Sequence, residues 1–339
     1  DHQERGTGES STSAMALVAV WLVGLGTSAG QIPSATIRGG VQMPVIALGT
    51  GGYDNETAAT AIAAAYKAGI RHVHTAYDYF NLPGVGRAVA ALPSRDSMFV
   101  SAMTSPCVHP AAPPMRNITD PAACYDVTKA ELNEVLGLLG VAHVDLMMLH
   151  GPSEPFGSIG PCSRSACALN AAQWRAYTDF LHEGKARAIG VSNYCQSCIN
   201  CLLGKNASTP SGVEVEVPAV NQIQVHVGMG ADPEGLLSYC RQAGIVVQAY
   251  SPLAAGAVVS DPLCATVGAG VNKSAAQVGL RWVWQHGSAF VVKASNPAYL
   301  LEDTDVFDWG LTTTDMQSLD AATSPSGQQD GRPSWGCSA

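Results

Sequence analysis

The stretch Gly69-Ile70-Arg71-His72-Val73-His74-Thr75-Ala76-Tyr77-Asp78-Tyr79-Phe80-Asn81 decides the fold. Gly69 follows Thr57–Ala68, whose apolar residues recur at helical spacing, and stands where a helix C-terminal cap is expected. His72–Ala76 then reads as a short strand with polar residues beyond its end. Working outward, the same unit repeats. Helical patterns at Thr128–Leu139, Pro233–Ala243 and Ser274–Gln285 end at Gly140, Gly244 and Gly287. Strand-like runs lie at Val45–Thr50, His72–Ala76, Met98–Met103, Asp145–His150, Ala186–Ser192, Ala219–His226, Ile245–Ser251 and Ala289–Ser295. Strands alternating with helices make an α/β fold. Eight of them predict a closed (β/α)8 TIM barrel, because an open doubly wound sheet usually has fewer strands and a Gly-rich phosphate loop after the first. No such GxGxxG stands here.

Around the barrel, Thr36–Arg38 and Val41–Pro44 flank Gly39–Gly40 and predict an N-terminal β-hairpin plugging the barrel bottom. Two long loops, Ser105–Tyr125 and Gly151–Ala166, follow the third and fourth strands on the C-terminal face, where barrel enzymes build their sites. The division expected is an extension with a signal peptide over 1–29, the barrel over 30–323, and a Gly/Pro/Ser-rich tail over 324–339. Met15 opens the apolar run Ala16–Val23, followed by small residues Thr27, Ser28 and Ala29; this reads as a signal peptide, although a basic n-region is missing. The run is too short to span a bilayer comfortably, so no transmembrane segment is expected in the mature chain.

Hydrophobic residues are 47% and charged ones 13% of the 339 residues, a globular composition. A net charge of −9 with no Lys/Arg cluster excludes nucleic acid as a partner. Asn55, Asn117, Asn206 and Asn272 are glycosylation acceptors by pattern, all outside the expected strands. The ten cysteines are many for a cytosolic barrel. Cys107 and Cys124 bracket a Pro-rich stretch, Cys162 and Cys167 share a second loop, and Cys195-x-x-Cys198-x-x-Cys201 sits at helical spacing. Disulfides are expected, with connectivity open, in a secretory, extracellular or lumenal compartment. The Cys195 cluster could alternatively hold a metal or a redox-active dithiol. His226, His182 and His286 lack ligand spacing and read as surface or loop residues.

The quoted stretch resembles the aldo-keto reductase signature, in which a Gly-x-Arg-His-x-Asp-Thr-Ala strand leads to Tyr-x-Asn. Val144–His150, Gly184–Asn193, Ala219–Gln224 and Ala249–Leu253 resemble four further blocks of that family in order and spacing, covering residues 36 to 322. The resemblance implies carbonyl reduction with NADP(H) or NAD(H). It assigns a Tyr proton donor, a His that orients the carbonyl, and a buried Lys–Asp pair that lowers the Tyr pKa. Here the donor is Tyr79 and the orienting residue His150, but the Asp position holds His74 and the Lys position Met103. Losing both together is coherent, since a buried lysine without a counter-ion is costly. A neutral packing of His74 on Met103, or a His74–Tyr79 bond, is expected; Asp78 is expected on the loop side, unable to replace the lost carboxylate.

By the same resemblance Ser192, Asn193 and Gln222 hold the nicotinamide carboxamide and Tyr250 stacks on the ring, while Ser251 and Leu253 lie on the pyrophosphate side. The family's Lys-Ser-x4-Arg-x3-Asn segment keeps Lys293 but has Ala294, Tyr299 and Asp303 at the other three positions. That puts a clamp on a 2′-phosphate in doubt and leaves weak NADH binding, or none, open. Three readings follow: a catalytically impaired barrel serving as a binding or structural component of an extracellular or lumenal protein assembly; an active nicotinamide-dependent carbonyl reductase with a rewired site; or a thiol redox protein. The paired loss of Lys and Asp and the missing Arg favour the first, the intact nicotinamide-side residues the second.

Overall fold

The computed structural model describes residues 32–109, 115–154, 161–204 and 215–325. Eight parallel strands close into a barrel in sequence order: β1 (Ile46–Gly49), β2 (His72–His74), β3 (Phe99–Thr104), β4 (Val144–Leu149), β5 (Ala186–Ser192), β6 (Val220–Gln224), β7 (Val246–Tyr250) and β8 (Ala289–Val292). Closure runs through Phe290 opposite Ile46 and Val292 opposite Leu48. Every strand expected from the sequence is present. All are buried almost throughout, as parallel strands covered on both faces must be.

The helices are α1 (Asn55–Lys67), α2 (Leu82–Ala90), α3 (Pro121–Leu139), α4 (Arg164–His182), α5 (Gln196–Leu202), α6 (Leu236–Gln242), α7 (Pro262–Val271), α8 (Ala275–Gln285), α9 (Pro297–Thr304) and α10 (Thr313–Asp320). Their ends follow local chemistry. Asp54 caps α1 by accepting from Thr57 N at 2.7 Å, and Ser274 with Gln277 forms a capping box at α8. Gly69, Gly140, Gly244 and Gly287 all take positive φ at the stops the sequence indicated. The first strand of the N-terminal hairpin, Ser34–Ile37, pairs with Val41–Pro44, and Pro44 O is 3.0 Å from Nδ1 of His72 at the start of β2. The hairpin thus underlies the strand beginnings.

One expected loop is shorter than anticipated. α3 begins at Pro121, capped by Asp120, seven residues before the predicted start, because Asp-Pro supplies an N-cap and a residue suited to the first turn. Before it, Val108–His109 pairs with Arg116–Asn117, so Asn117 ends a two-residue strand instead of lying in an irregular loop. Disulfide Cys107–Cys124 ties the root of this excursion to α3; Cys162–Cys198 and Cys167–Cys201 tie the start of α4 to α5, and Cys195 is disulfide-bonded as well. Asn55 lies in the first turn of α1, its side-chain oxygen accepting from Gly84 N at 2.7 Å, while Asn272 is the exposed left-handed cap of α7. The signal-peptide expectation and Asn206 fall outside the described residues. Among the described residues, no helix is long and apolar enough to cross a membrane.

Helix packing leaves no room at two glycines of α2. A Cβ on Gly84 would overlap the Asn55 carbonyl, and one on Gly86 the Leu139 carbonyl. Gly86→Ala is expected to cost about 1–3 kcal/mol, the usual penalty of overpacking, read from the midpoint of denaturant unfolding. An unchanged midpoint would mean that α2 and α3 are not in contact there.

Candidate active site

The C-terminal ends of the strands surround a cavity of about 990 Å3. That volume is at the upper end of ordinary ligand pockets, large enough for an extended ligand. His74, Tyr79 and His150 border it, as do Ser192, Asn193, Gln222, Tyr250, Ser251 and Leu253, and it extends to Lys293, Tyr299, Glu302 and Asp303. Every residue the sequence assigned to the site therefore borders one cavity except Met103, which is fully buried within β3.

β2 delivers His74 and is followed by a single helical turn, Tyr77–Tyr79, stopped by Phe80 at φ 57°. This turn brings the Tyr79 ring edge-on to His150, at the end of β4, with centroids 5.6 Å apart. It also corrects the reading of Asp78, whose carboxylate reaches His150 Nδ1 at 2.9 Å. A carboxylate can only accept, so Nδ1 of His150 carries the hydrogen. Burial alone would raise the Asp78 pKa, but the charge and hydrogen bond of His150, with His109 nearby, bring it below the usual carboxylate value. Asp78 is therefore an orienting carboxylate, though it serves the histidine and not Tyr79.

At the two positions where the resemblance implied an ion pair stand His74 and Met103. His74 Nδ1 lies 3.1 Å from Ser101 Oγ, and the His74 and Tyr79 rings meet edge-to-face at 6.4 Å. The anticipated His74–Tyr79 bond is not formed: His74 Nε2 is buried without a hydrogen-bond partner. Desolvation first, then the neighbouring His72 and His150, hold the His74 pKa well below that of free imidazole. His226, read as a surface or loop residue, lies in the loop after β6 but is fully buried, with Nδ1 at 2.7 Å from Val227 O.

The residues that the resemblance assigns to the nicotinamide side are bonded to one another. Asn193, left-handed at φ 63°, donates to His150 O at 2.9 Å and to Ser192 Oγ at 3.1 Å, and its oxygen accepts from Tyr250 Oη at 3.0 Å. Ser192 Oγ donates to Gln222 O at 2.8 Å, and Gln222 donates to Gln248 at 2.8 Å. A hydroxyl, two carboxamides and a phenol ring in one wall suit a group such as a nicotinamide, which needs a donor, an acceptor and an aromatic face. Beyond β7 the wall continues through Ser251 and Ala255, which with the buried Ala254 between them are three non-glycine residues at φ 48–53°. Such clusters of uncommon backbone conformation concentrate at binding sites.

At the far end, Lys293 Nζ sits 4.8 Å from the Tyr53 ring centroid. Asp303 is 6% exposed, and its carboxylate makes no hydrogen bond or ion pair among the described residues. Burial, then the charge of Glu302, raises its pKa to about 7. The Cys195 cluster lies apart from the cavity. Cys198 and Cys201 are each bonded to a cysteine outside the cluster, so these two do not form a dithiol pair with one another.

Sequence reasoning missed Ser101 and His72. Their signal was the period of two along a strand: Ser101 shares a face with Met103, and His72 with His74.

Comparison with known proteins agrees with this geometry. Residues 45–324 match the Aldo/keto reductase family. Morphine 6-dehydrogenase of Pseudomonas putida is 31% identical over 307 residues, covering 86% of this chain and 92% of that protein. An aldo-keto reductase of Mycobacterium tuberculosis, Rv2971, is 32% identical over 294 residues, covering 86% and 92%. Among solved structures, an aldo/keto reductase from Brucella melitensis superposes with a TM-score of 0.69 at 27% identity, covering 86% of this chain and 99% of that one.

Proposed function

Because the chain belongs to the aldo/keto reductase family, we propose that it is an active nicotinamide-dependent carbonyl reductase working without the family's charged pair. One observation carries this reading: Tyr79 and an Asp78-backed His150 stand edge-to-face beside a cavity whose wall keeps the nicotinamide-side residues. The paired loss of Lys and Asp favoured a retired enzyme on sequence alone. The preserved donor, the carboxylate behind His150 and relatives named as dehydrogenases and reductases favour turnover.

A bound reduced nicotinamide would supply the hydride. Ser192, Asn193 and Gln222 would hold its carboxamide by exchanging their present mutual bonds, and Tyr250 would face its ring. Asp78 accepts from His150 Nδ1 and so fixes the ring with its Nε2 edge available to a carbonyl substrate. As that carbon is reduced, the Tyr79 hydroxyl gives its proton to the developing alkoxide, and the phenolate recovers a proton from water. A phenol of ordinary acidity suffices in this direction.

The adenosine end supports NADH over NADPH. A buried carboxylate beside a second acidic residue can accept from a ribose hydroxyl and repels a 2′-phosphate. Calorimetric titration is expected to give tighter binding of NADH than of NADPH, with the gap widening as pH rises through about 7 and Asp303 ionises. Equal affinities, or a gap that narrows with pH, would refute this. The same raised pKa stabilises the fold fully below the unfolded value of 3.8, and that contribution is lost as pH rises through about 7.

We further propose an oxidising compartment, the secretory pathway or beyond, supported by the three cross-links tying loops 107–124 and 162–201. Intact mass after alkylation should differ with and without prior reduction. Complete alkylation of unreduced protein would contradict it.

A further inference from the structure

The floor of the site contains a chain of groups whose proton positions can be deduced. Pro44 O, a carbonyl, can only accept, so His72 Nδ1, 3.0 Å away, carries a hydrogen. His72 is fully buried, and none of its hydrogen bonds is to a carboxylate, so the ring is neutral and its Nε2 is bare; its pKa is held at about 4 by desolvation. Ser101 Oγ, 2.9 Å from that nitrogen, must donate to it. The 3.3 Å contact from Ser101 to Val73 O competes for the same hydrogen and is longer. Having donated, Ser101 accepts from His74 Nδ1 at 3.1 Å. A neutral His74 then has a bare Nε2, which is the buried nitrogen left without a partner beside the cavity.

We propose that His72, Ser101 and His74 form a neutral hydrogen-bond chain of fixed polarity, which makes His74 a positioning residue whose bare Nε2 offers no donor to a Tyr79 phenolate. This rests on the reductase reading and deepens it: the site is biased toward carbonyl reduction, because alcohol oxidation needs a phenolate that a lone pair cannot stabilise. An ammonium in this place would stabilise the phenolate; a neutral ring presenting a lone pair does not. The other titratable groups acting on this floor are Asp145 at His72, itself paired with Arg95 and Arg187, then His150 at His74, and Asp78 and His109 through His150. Lys293 borders the same cavity, its Nζ over the Tyr53 ring and 3.2 Å from where a Cβ on Gly52 would stand.

The test uses the full chain carrying nitrogen-15 histidine, with His74→Gln identifying the His74 signals. At neutral pH His74 is expected to show a protonated Nδ1 and an unprotonated Nε2. Ser101→Ala should release that tautomer, and Ser101→Thr, which keeps the hydroxyl, should retain it. In parallel, the ultraviolet difference between the unsubstituted chain and Tyr79→Phe reads Tyr79 ionisation without turnover. It should fall at or above the ordinary value of about 10 and move down in Ser101→Ala, where a freed His74 can donate. A His74 that is doubly protonated or carries its hydrogen on Nε2 at neutral pH would overturn the proposal. So would a Tyr79 that ionises well below pH 9. Failure of aldehyde-dependent NADH oxidation would instead count against the reductase reading, leaving both measurements here decisive for the chain.

Discussion

Tyr79→Phe is expected to lower carbonyl-dependent NADH oxidation by about 10²- to 10⁴-fold, the usual worth of a positioned proton donor. The ring remains, and only the hydroxyl is removed. Tyr79 packs edge-on against His74 and His150 through its ring, and a Cβ on Gly51 would lie 3.1 Å from it, so the phenyl group still fills its place. Stability and NADH affinity should therefore stay close to those of the unsubstituted chain, and the loss should appear in kcat. A variant that keeps its rate would transfer the donor's role to His150. A variant that loses cofactor binding as well would make Tyr79 a wall of the cavity and not a proton donor.

The second large effect concerns positions 74 and 103. Met103→Lys is expected to destabilise the fold by about 3–5 kcal/mol, because it buries an ammonium with no counter-ion. Met103 is fully buried, lies opposite Met148 in the barrel, and shares a strand face with Ser101. His74, held neutral, supplies no opposite charge. Adding His74→Asp in the same chain should recover at least half of the loss, since Ser101 can donate to the new carboxylate and the ammonium gains a partner. Denaturant unfolding of the two variants measures both effects. If the single substitution is tolerated at no cost, the floor of the barrel is hydrated and the neutral chain described above is not what excludes charge.

Much of this architecture was legible because parallel barrels leave strong marks. Apolar runs such as Val144–Leu149 and Val246–Tyr250 are buried on both faces, and glycines such as Gly69 and Gly140 stop the preceding helices in a conformation that disfavours other residues. α3 was harder to delimit. Its first turn, Pro121–Cys124, is fixed by the Asp120 cap and by a disulfide to Cys107, and a proline-rich neighbourhood hides that start from a hydrophobic-period reading.

The site divided in the same way. Tyr79, His150 and the residues of the nicotinamide wall lie at strand ends, where sequence blocks and geometry coincide. Asp78 was visible but its aim was not: one helical turn between Tyr77 and Tyr79 decides whether it faces a loop or His150. Ser101 and His72 were silent because a serine and a histidine within an apolar strand look like ordinary core residues until their hydrogen bonds are traced. The burial of His226 was silent for a related reason, since it is set by the barrel around that loop and not by its neighbours in sequence.

The account stands on turnover without a charged pair. Its most direct test mixes the intact chain with NADH and a generic aldehyde and follows the loss of reduced nicotinamide absorbance. The expected result is aldehyde-dependent oxidation that the Tyr79→Phe chain loses. If NADH binds yet no aldehyde-dependent oxidation appears at any pH, the site holds a cofactor without using it, and the central claim is contradicted.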